Sequence, residues 1–519
     1  MMNRLWRNSL KISFLIIPIF LFFVGQPLQA TPSDFDTSFG PTHNGKVTTG
    51  FTAADGSSIN DGIEAIAVQP ADGKIIVAGE SGDTTSLTAS SALALARYNP
   101  DGSLDTTFSG GTIRLDAFNS TPLTGINTVK GIAFQGSNII LGVATGNISA
   151  SLTGNCGIVR LLSNGSVDTG FGSGGLATAA GSSNFCNAMA VQGDGKIVLG
   201  GFTVVGGSAF DSILIRFTRD GLPDSSFGSG STGVVVNDFG GNDMISAVAV
   251  QPDITGEKIV VAGAAKNATS TDLDFLLARF NETNGSLDTS FGSAGVVKTD
   301  FSSAIHPNST DHAFALALKS DESILAGGAS TSGAVSSVFA LAFYDKNGAP
   351  LHTPTTSISG LNDGISSLLI QSDNKIVAGG YSGPLAAPQA VLARYNSDGT
   401  LDPLFGTTGS VTNLFGGSHD VLKALAIQGD GKILAAGAMT AGSNEDFALV
   451  RLMGSATGPD LGGPPSPAGG AAPSSRGGCS LGISNADQPI SVTSLGIILN
   501  MVFFLVLRSF SKRAHSTSY

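Results

Sequence analysis

Apolar residues fall in short runs along this chain, with no helical stripe between them. AIAVQPADGKIIVAG (65–79), AVAVQPDITGEKIVVAG (247–263) and ALAIQGDGKILAAG (424–437) each join two runs of Val, Ile, Ala and Leu across a turn containing Gly or Asp. A third run follows and carries an arginine near its end, as in ALARYNPDGSLDTTF (94–108), LLARFNETNGSLDTSFG (276–292) and VLARYNSDGTLDPLFG (391–406). A shorter run stands ahead of most blocks, as in GKVTTGF (45–51), GVVVNDF (233–239) and GSVTNLF (409–415). Runs this short, rich in Val and Ile and bounded by Gly, Asp and Asn, predict strands. Asp72-Gly73, Asp194-Gly195 and Asp430-Gly431 lie between paired runs and predict hairpins. No long stretch of the body repeats at a helical period.

The block recurs. Its second run ends in glycine near Gly79, Gly142, Gly200, Gly263, Gly327, Gly379 and Gly437, which makes seven copies. Four strands per copy, at this repeat length, fit propeller blades better than a solenoid or a string of sandwiches. The expected fold is all-β, a seven-bladed β-propeller of four-stranded antiparallel blades over residues 31–453, closed by pairing of the N- and C-terminal parts of the repeat region.

The arginine of the third run recurs as Arg97, Arg160, Arg216, Arg279, Arg394 and Arg451, and an aspartate follows it as Asp105, Asp168, Asp224, Asp288 and Asp402. Repeat five has LAFYDKNGAPLHTP (341–354), with Phe343 in the arginine position and no aspartate. Joint loss is what a paired guanidinium and carboxylate predict, because a lone buried charge is costly. Arg451 has no aspartate after it, but DFDTSFG (34–40) supplies the missing segment at the start of the body. Asp36 is therefore the expected partner of Arg451, and such an offset serves a ring that joins first blade to last. These pairs are read as structural braces, since a catalytic group need not recur in every blade.

Composition narrows the function. Glycine numbers 70 residues without a collagen period, which suits many tight turns. The formal charge of −12 sets the surface against nucleic acid and anionic headgroups. Three cysteines make no disulfide framework. Cys156 and Cys186 fall in repeats two and three and are open to two readings, a disulfide between neighbouring blades or two buried thiols. The histidines His43, His306, His312, His352, His419 and His515 have no metal-ligand spacing. No cofactor is expected. Acidic residues do recur before the second strand, at Asp61, Asp243, Asp311, Asp363 and Asp420. They could offer oxygen ligands to calcium, but turn-stabilising hydrogen bonds explain them more simply.

The two ends read as addresses. Residues 1–30 combine Arg4, Arg7 and Lys11 with an apolar run from Ile12 to Val24 and the small-residue site Leu28-Gln29-Ala30, the pattern of a signal peptide. Residues 454–478 form a Gly/Pro/Ser-rich linker. In 479–519, Gly478 and Cys479 lead into an apolar segment from Ile490 to Leu507, followed by Arg508, Lys512 and Arg513. This tail resembles the tripartite C-terminal sorting signals of Gram-negative surface proteins. The resemblance implies export and sorting machinery that cuts the tail at the membrane and moves the protein to the surface; a plain C-terminal membrane anchor is the other reading of the tail, and Gly478-Cys479 is read as a processing or lipidation site. The repeats themselves, with DGSLDTTF, NGSLDTSFG and SNGSVDTGFG, resemble the delta-60 repeat of bacterial exported proteins. That resemblance implies a propeller-like array on a secreted or surface protein and no settled activity.

No G-x-S-x-G elbow, P-loop or H-E-x-x-H is present. The leading expectation is a non-enzymatic binding or adhesion module at the cell envelope, taking a glycan or protein ligand. A structural spacer, and an envelope hydrolase or lyase with a site assembled from several loops, are the rival readings.

Overall fold

The structure is a computed structural model that describes residues 30–454 apart from 53–58, 84–89, 116, 119–120, 123–125, 148–152, 180, 182, 207–208, 255, 267–271, 303–308, 333–335 and 443. The expected signal peptide, the linker from 455 onward, and Gly478, Cys479 and the rest of the tail lie outside the described residues. The fold is all-β, built from antiparallel four-stranded units in which consecutive strands pair.

Unit one comprises Asp61–Val68, Ile75–Asp83, Ser90–Tyr98 and Thr112–Leu115; unit two Ile126–Gln135, Asn138–Asn147, Thr153–Leu161 and Leu176–Thr178. Unit three comprises Asn184–Val191, Ile197–Val205, Ala209–Phe217 and Val234–Asn237; unit four Asp243–Asp253, Gly256–Lys266, Leu273–Asn281 and Val296–Thr299. Unit five has Thr310–Leu318, Ile324–Ser332 and Ser336–Tyr344, and its outer edge is divided between Pro350–His352 and Thr355–Thr356. Unit six comprises Asn362–Ile370, Ile376–Gly383, Gln389–Tyr395 and Ser410–Thr412. One parallel bridge, Ser337 to Asn362, links units five and six. Unit seven has Asp420–Ile427, Ile433–Ala441 and Asn444–Leu452, and takes its outer strand, Lys46–Thr49, from the other end of the body.

The short run ahead of each block is thus the outer strand of the unit before it. Its register in unit seven pairs Lys46 with Val450 and Thr49 with Phe447. Phe35 bridges Leu452 next to it. The first strands of successive units touch one another in order, and that of unit seven touches that of unit one.

An apolar layer fills each space between neighbouring units. Ile76, Leu93 and Leu95 of unit one meet Val129, Leu141 and Val159 of unit two. Ile63, Val77 and Ala94 of unit one meet Leu434, Ala436 and Leu449 of unit seven, with Phe39 and Val47 in the same layer. Both faces of each sheet are therefore covered, and the inner strands read as nearly continuous apolar runs because neither face meets water.

Each first strand carries a β-bulge at one place, between Ile63 and Ala65, Val129 and Gly131, Cys186 and Ala188, Ile245 and Ala247, Ala313 and Ala315, Ile365 and Ser367, and Leu422 and Ala424. The bulge explains the glycine that faces it. Gly263 pairs with Ile245, and a Cβ on it would collide with the carbonyl oxygen of Met244. The extra residue of the bulge pushes that carbonyl across the second strand, and six units place glycine opposite it, while unit two has Val143.

Candidate functional site

Each brace arginine lies at the end of a third strand; its aspartate lies in the turn that follows, except that Arg451 takes Asp36 from the start of the body. Nε to Oδ2 distances are 2.7 Å for Arg97–Asp105, 2.8 Å for Arg160–Asp168, Arg216–Asp224 and Arg394–Asp402, and 2.9 Å for Arg279–Asp288 and Arg451–Asp36. The carboxylates are fixed from below by their own turns. Ser38 N–H and Oγ–H donate to Asp36 Oδ1 at 3.0 and 2.6 Å, and Thr107 does the same for Asp105. Burial works to raise the Asp36 pKa, but the Ser38 hydroxyl and N–H, Lys432 and Arg451 outweigh it and hold the group well below the carboxylate range. For Asp105, burial is outweighed in the same way by Thr107, Lys74 and Arg97.

Three partners of the brace had gone unnoticed in the sequence. The guanidinium lies on the phenylalanine three residues after the aspartate, with Arg216 4.2 Å from the Phe227 ring centroid and Arg451 4.4 Å from that of Phe39. A lysine from the hairpin turn adds a second cation, Lys74 to Asp105 at 2.9 Å and Lys432 to Asp36 at 3.0 Å. Nη1 reaches the glutamine that ends the first strand, and then a carbonyl in the turn of the next unit. Arg97 donates to Ser163 O at 2.6 Å, Arg160 to Arg219 O at 3.2 Å, and Arg279 to Lys346 O at 2.8 Å. Arg451 of unit seven donates to Pro100 O of unit one. The only available signal was the fixed spacing of Gln, Lys and Phe within the repeat. The turn of the next unit also needs its glycine: Gly221 has φ +83°, and a Cβ there would sit 2.8 Å from the Phe171 ring of unit two.

The recurring aspartates are the first or second residues of their strands and act as clamps. Asp61 accepts the Phe51 N–H at 2.7 Å, Asp243 those of Phe239 and Ser212 at 2.9 and 2.8 Å, Asp311 that of Phe301 at 2.8 Å and Asp363 that of Ile358 at 2.7 Å. Asp420 accepts from Gly416 and Gly417. Burial pushes Asp61, Asp243 and Asp311 up to about 6. Two carboxylate trios, Asp211–Asp238–Asp243 and Asp274–Asp300–Asp311, have oxygens within 4.8 Å of one another. Both include a clamp carboxylate already committed to backbone N–H groups.

The bulge residues Glu64, Lys130, Asn187, Ser246, Phe314, Ser366 and Lys423 occupy equivalent seats on the seven first strands, and all are buried. Lys423 pairs with Glu64 at 3.4 Å. Ser246 Oγ lies 2.7 Å from His312 Nε2, and the His312 ring stacks on Phe314 at 4.1 Å. Burial, with Glu64 adding repulsion, pushes Glu80 up to about 7, while burial lowers His312 to about 3.

Cys156 and Cys186 form a disulfide between units two and three. Cys186 lies within Asn184–Val191, where pairing begins at Asn184 with Thr203, upstream of the bulge.

Unit five departs from this plan. Lys319 stands where the other units have glutamine, Phe343 replaces the arginine, and Leu351 replaces the aspartate. Lys319 Nζ lies 5.1 Å from the Phe343 ring centroid and donates to Ser397 O of unit six at 3.3 Å, so the cation-to-carbonyl link survives from a different strand. His352 stacks on Phe343 at 4.0 Å. These residues line a pocket of about 360 Å³, together with Asp321, Asp345, Lys346 and Ser397.

Comparison with known proteins follows the repeat. The family model "Domain of unknown function (DUF5122) beta-propeller" matches residues 71–108, 143–171, 192–227, 258–291, 371–405 and 428–455, which lie in units one to four, six and seven. The chain is a β-propeller repeat protein. No curated protein matches it. Among solved structures it is similar to Sqt1 from Chaetomium thermophilum, at 14% identity over 77% of this chain and 87% of that one, with a TM-score of 0.42. It is similar to a PL25 ulvan lyase bound to -[GlcA(1-4)Rha3S]-, at 12% identity over 79% and 96%, with a TM-score of 0.42. It is also similar to Drosophila Semaphorin 2a, at 10% identity over 78% and 75%, with a TM-score of 0.41.

Proposed function

We propose that this chain is an exported, non-enzymatic binding module of a bacterial envelope, a seven-bladed propeller closed into a ring that engages its ligand at unit five. The observation that carries the reading is the contrast between units. Six units spend their recurring charged side chains on the same brace, and the seventh replaces three brace positions together and opens a pocket there. A plain spacer is served by identical units and has no use for the exception. The signal-like start and the three-part tail support export and display at the surface.

The test is binding of the full-length protein to glycan and protein arrays, beside the triple variant Lys319→Gln/Phe343→Arg/Leu351→Asp, which rebuilds the brace and fills the pocket. The expected result is a signal on one array that the triple variant loses while its urea unfolding stays cooperative. Equal signals from both proteins, or none from either, overturn the proposal.

A further inference from the structure

Resting on the reading above, we infer that the unit-five pocket takes an uncharged saccharide. Its volume of about 360 Å³ is at the small end of ligand pockets, a size for one or two sugar rings. The lining charges balance and give no strong preference for an ion. The lining holds two lysines, Lys319 and Lys346, against two aspartates, Asp321 and Asp345. Lys319 is already held by Ser397 O and the Phe343 ring, and Lys346 faces Glu322 at 3.5 Å. The four lining charges sum to zero, and neither ammonium is open to a carboxylate or a phosphate.

What the walls offer is hydrogen bonding beside a flat apolar face. Asp321 uses Oδ1 for the N–H and hydroxyl of Ser323, at 3.0 and 2.6 Å. Asp345 uses Oδ1 for the N–H groups of Asn347 and Ala349, both at 2.8 Å. Each carboxylate is thereby locked in orientation, with Oδ2 left as a pre-positioned acceptor for hydroxyl groups. The wall carrying Lys346 is tied to unit four, since Arg279 and Gln251 both donate to Lys346 O. The same pocket is lined by the exposed Leu351, at 61% exposure, and by His352 with its ring backed by Phe343. A pyranose, with hydroxyls around its edge and C–H bonds on its faces, matches both surfaces at once.

The experiment is calorimetry on the full-length protein with cellobiose, methyl α-mannopyranoside and N-acetylglucosamine, beside glucuronate and glucosamine as anionic and cationic counterparts. Asp321→Asn and Asp345→Asn keep the Oδ1 that caps each turn and remove only the second acceptor; Asp101→Asn, in the matching turn of unit one, is the control. The expected result is binding of a neutral sugar, weakened about tenfold or more by either pocket variant, as loss of a charge-assisted hydrogen bond requires, and unchanged by the control. Preference for glucuronate or glucosamine, neutral-sugar binding indifferent to both pocket variants, or no sugar binding at all overturns the ligand class. If the arrays meanwhile show a protein ligand lost in the triple variant, the binding role stands and only the saccharide falls.

Discussion

Arg451 donates its Nε–H to Asp36 Oδ2 at 2.9 Å across 415 residues of sequence. The contact joins the end of the body to its beginning, and both groups are buried. Removing one partner of a buried pair leaves the other charge without compensation, at about 3–5 kcal/mol. Asp36→Ala is expected to lower stability about as much as Asp105→Ala, its counterpart inside unit one, in urea denaturation of the full-length protein. A near-neutral Asp36→Ala beside a costly Asp105→Ala would show that the joint between last and first units bears no load.

The disulfide between Cys156 and Cys186 closes a loop with a sequence separation of 30. By loop entropy such a link contributes about 3–4 kcal/mol. The double variant Cys156→Ala/Cys186→Ala is expected to unfold at lower urea by that amount, and dithiothreitol is expected to bring the unmodified protein to the same midpoint. An unmodified protein whose midpoint ignores reductant would contradict this.

The brace and its replacement in unit five make separate demands on one position. Phe343→Arg alone places a guanidinium beside Lys319 without the brace aspartate, and is expected to cost about 3–5 kcal/mol. Adding Lys319→Gln and Leu351→Asp restores the pattern of the other units and is expected to recover most of that loss. A single variant as stable as the triple would mean that the three positions are not coupled.

Stability should be greatest in mild acid. Asp61, Asp243 and Asp311, raised to about 6 by burial, and Glu80, raised to about 7, bind protons more tightly folded than unfolded. Their contribution is complete below the unfolded carboxyl pKa of ~4 and is lost as pH rises through 6 to 7. His312, lowered to about 3, works the other way: its contribution is complete above the unfolded imidazole value and is lost as pH falls towards 3. Four carboxyls outweigh one imidazole, and the brace aspartates Asp36 and Asp105, held low, lose their contribution only in stronger acid. The urea midpoint is expected to be higher at pH ~5 than at pH ~8, with Asp243→Asn reducing the difference. A midpoint that climbs steadily from ~5 to ~8 would refute the assignment.

The strands were legible because burial on both faces leaves unbroken apolar runs between Gly and Asp turns. The spacing of Arg97 and Asp105, and the stray DFDTSFG segment holding Asp36, could also be read directly from the chain. What the brace holds could not. Ser163 O and Pro100 O are backbone acceptors, which any residue supplies and no motif marks. The pocket was hidden for a related reason. Leu351 matches the brace aspartate only by register, since Tyr344 pairs with Pro350 as Tyr98 bridges Leu104, and another wall comes from Ser397 in the following unit. The Ala-Gly pairs were visible, but the bulge opposite Gly263 has no composition of its own.

The seats on the bulges carry a consequence for how such a chain finds itself. Seven similar hairpin stacks could, in principle, dock in a scrambled order, since their apolar faces are interchangeable. At two seams unlike side chains meet across the units: Glu64 on one bulge answers Lys423 on another, and Ser246 answers His312 of the next first strand. A stack inserted out of turn would trap an ammonium or a carboxylate in the dry interior with no opposite number. At these two seams the paired side chains act as addresses that disfavour a scrambled order.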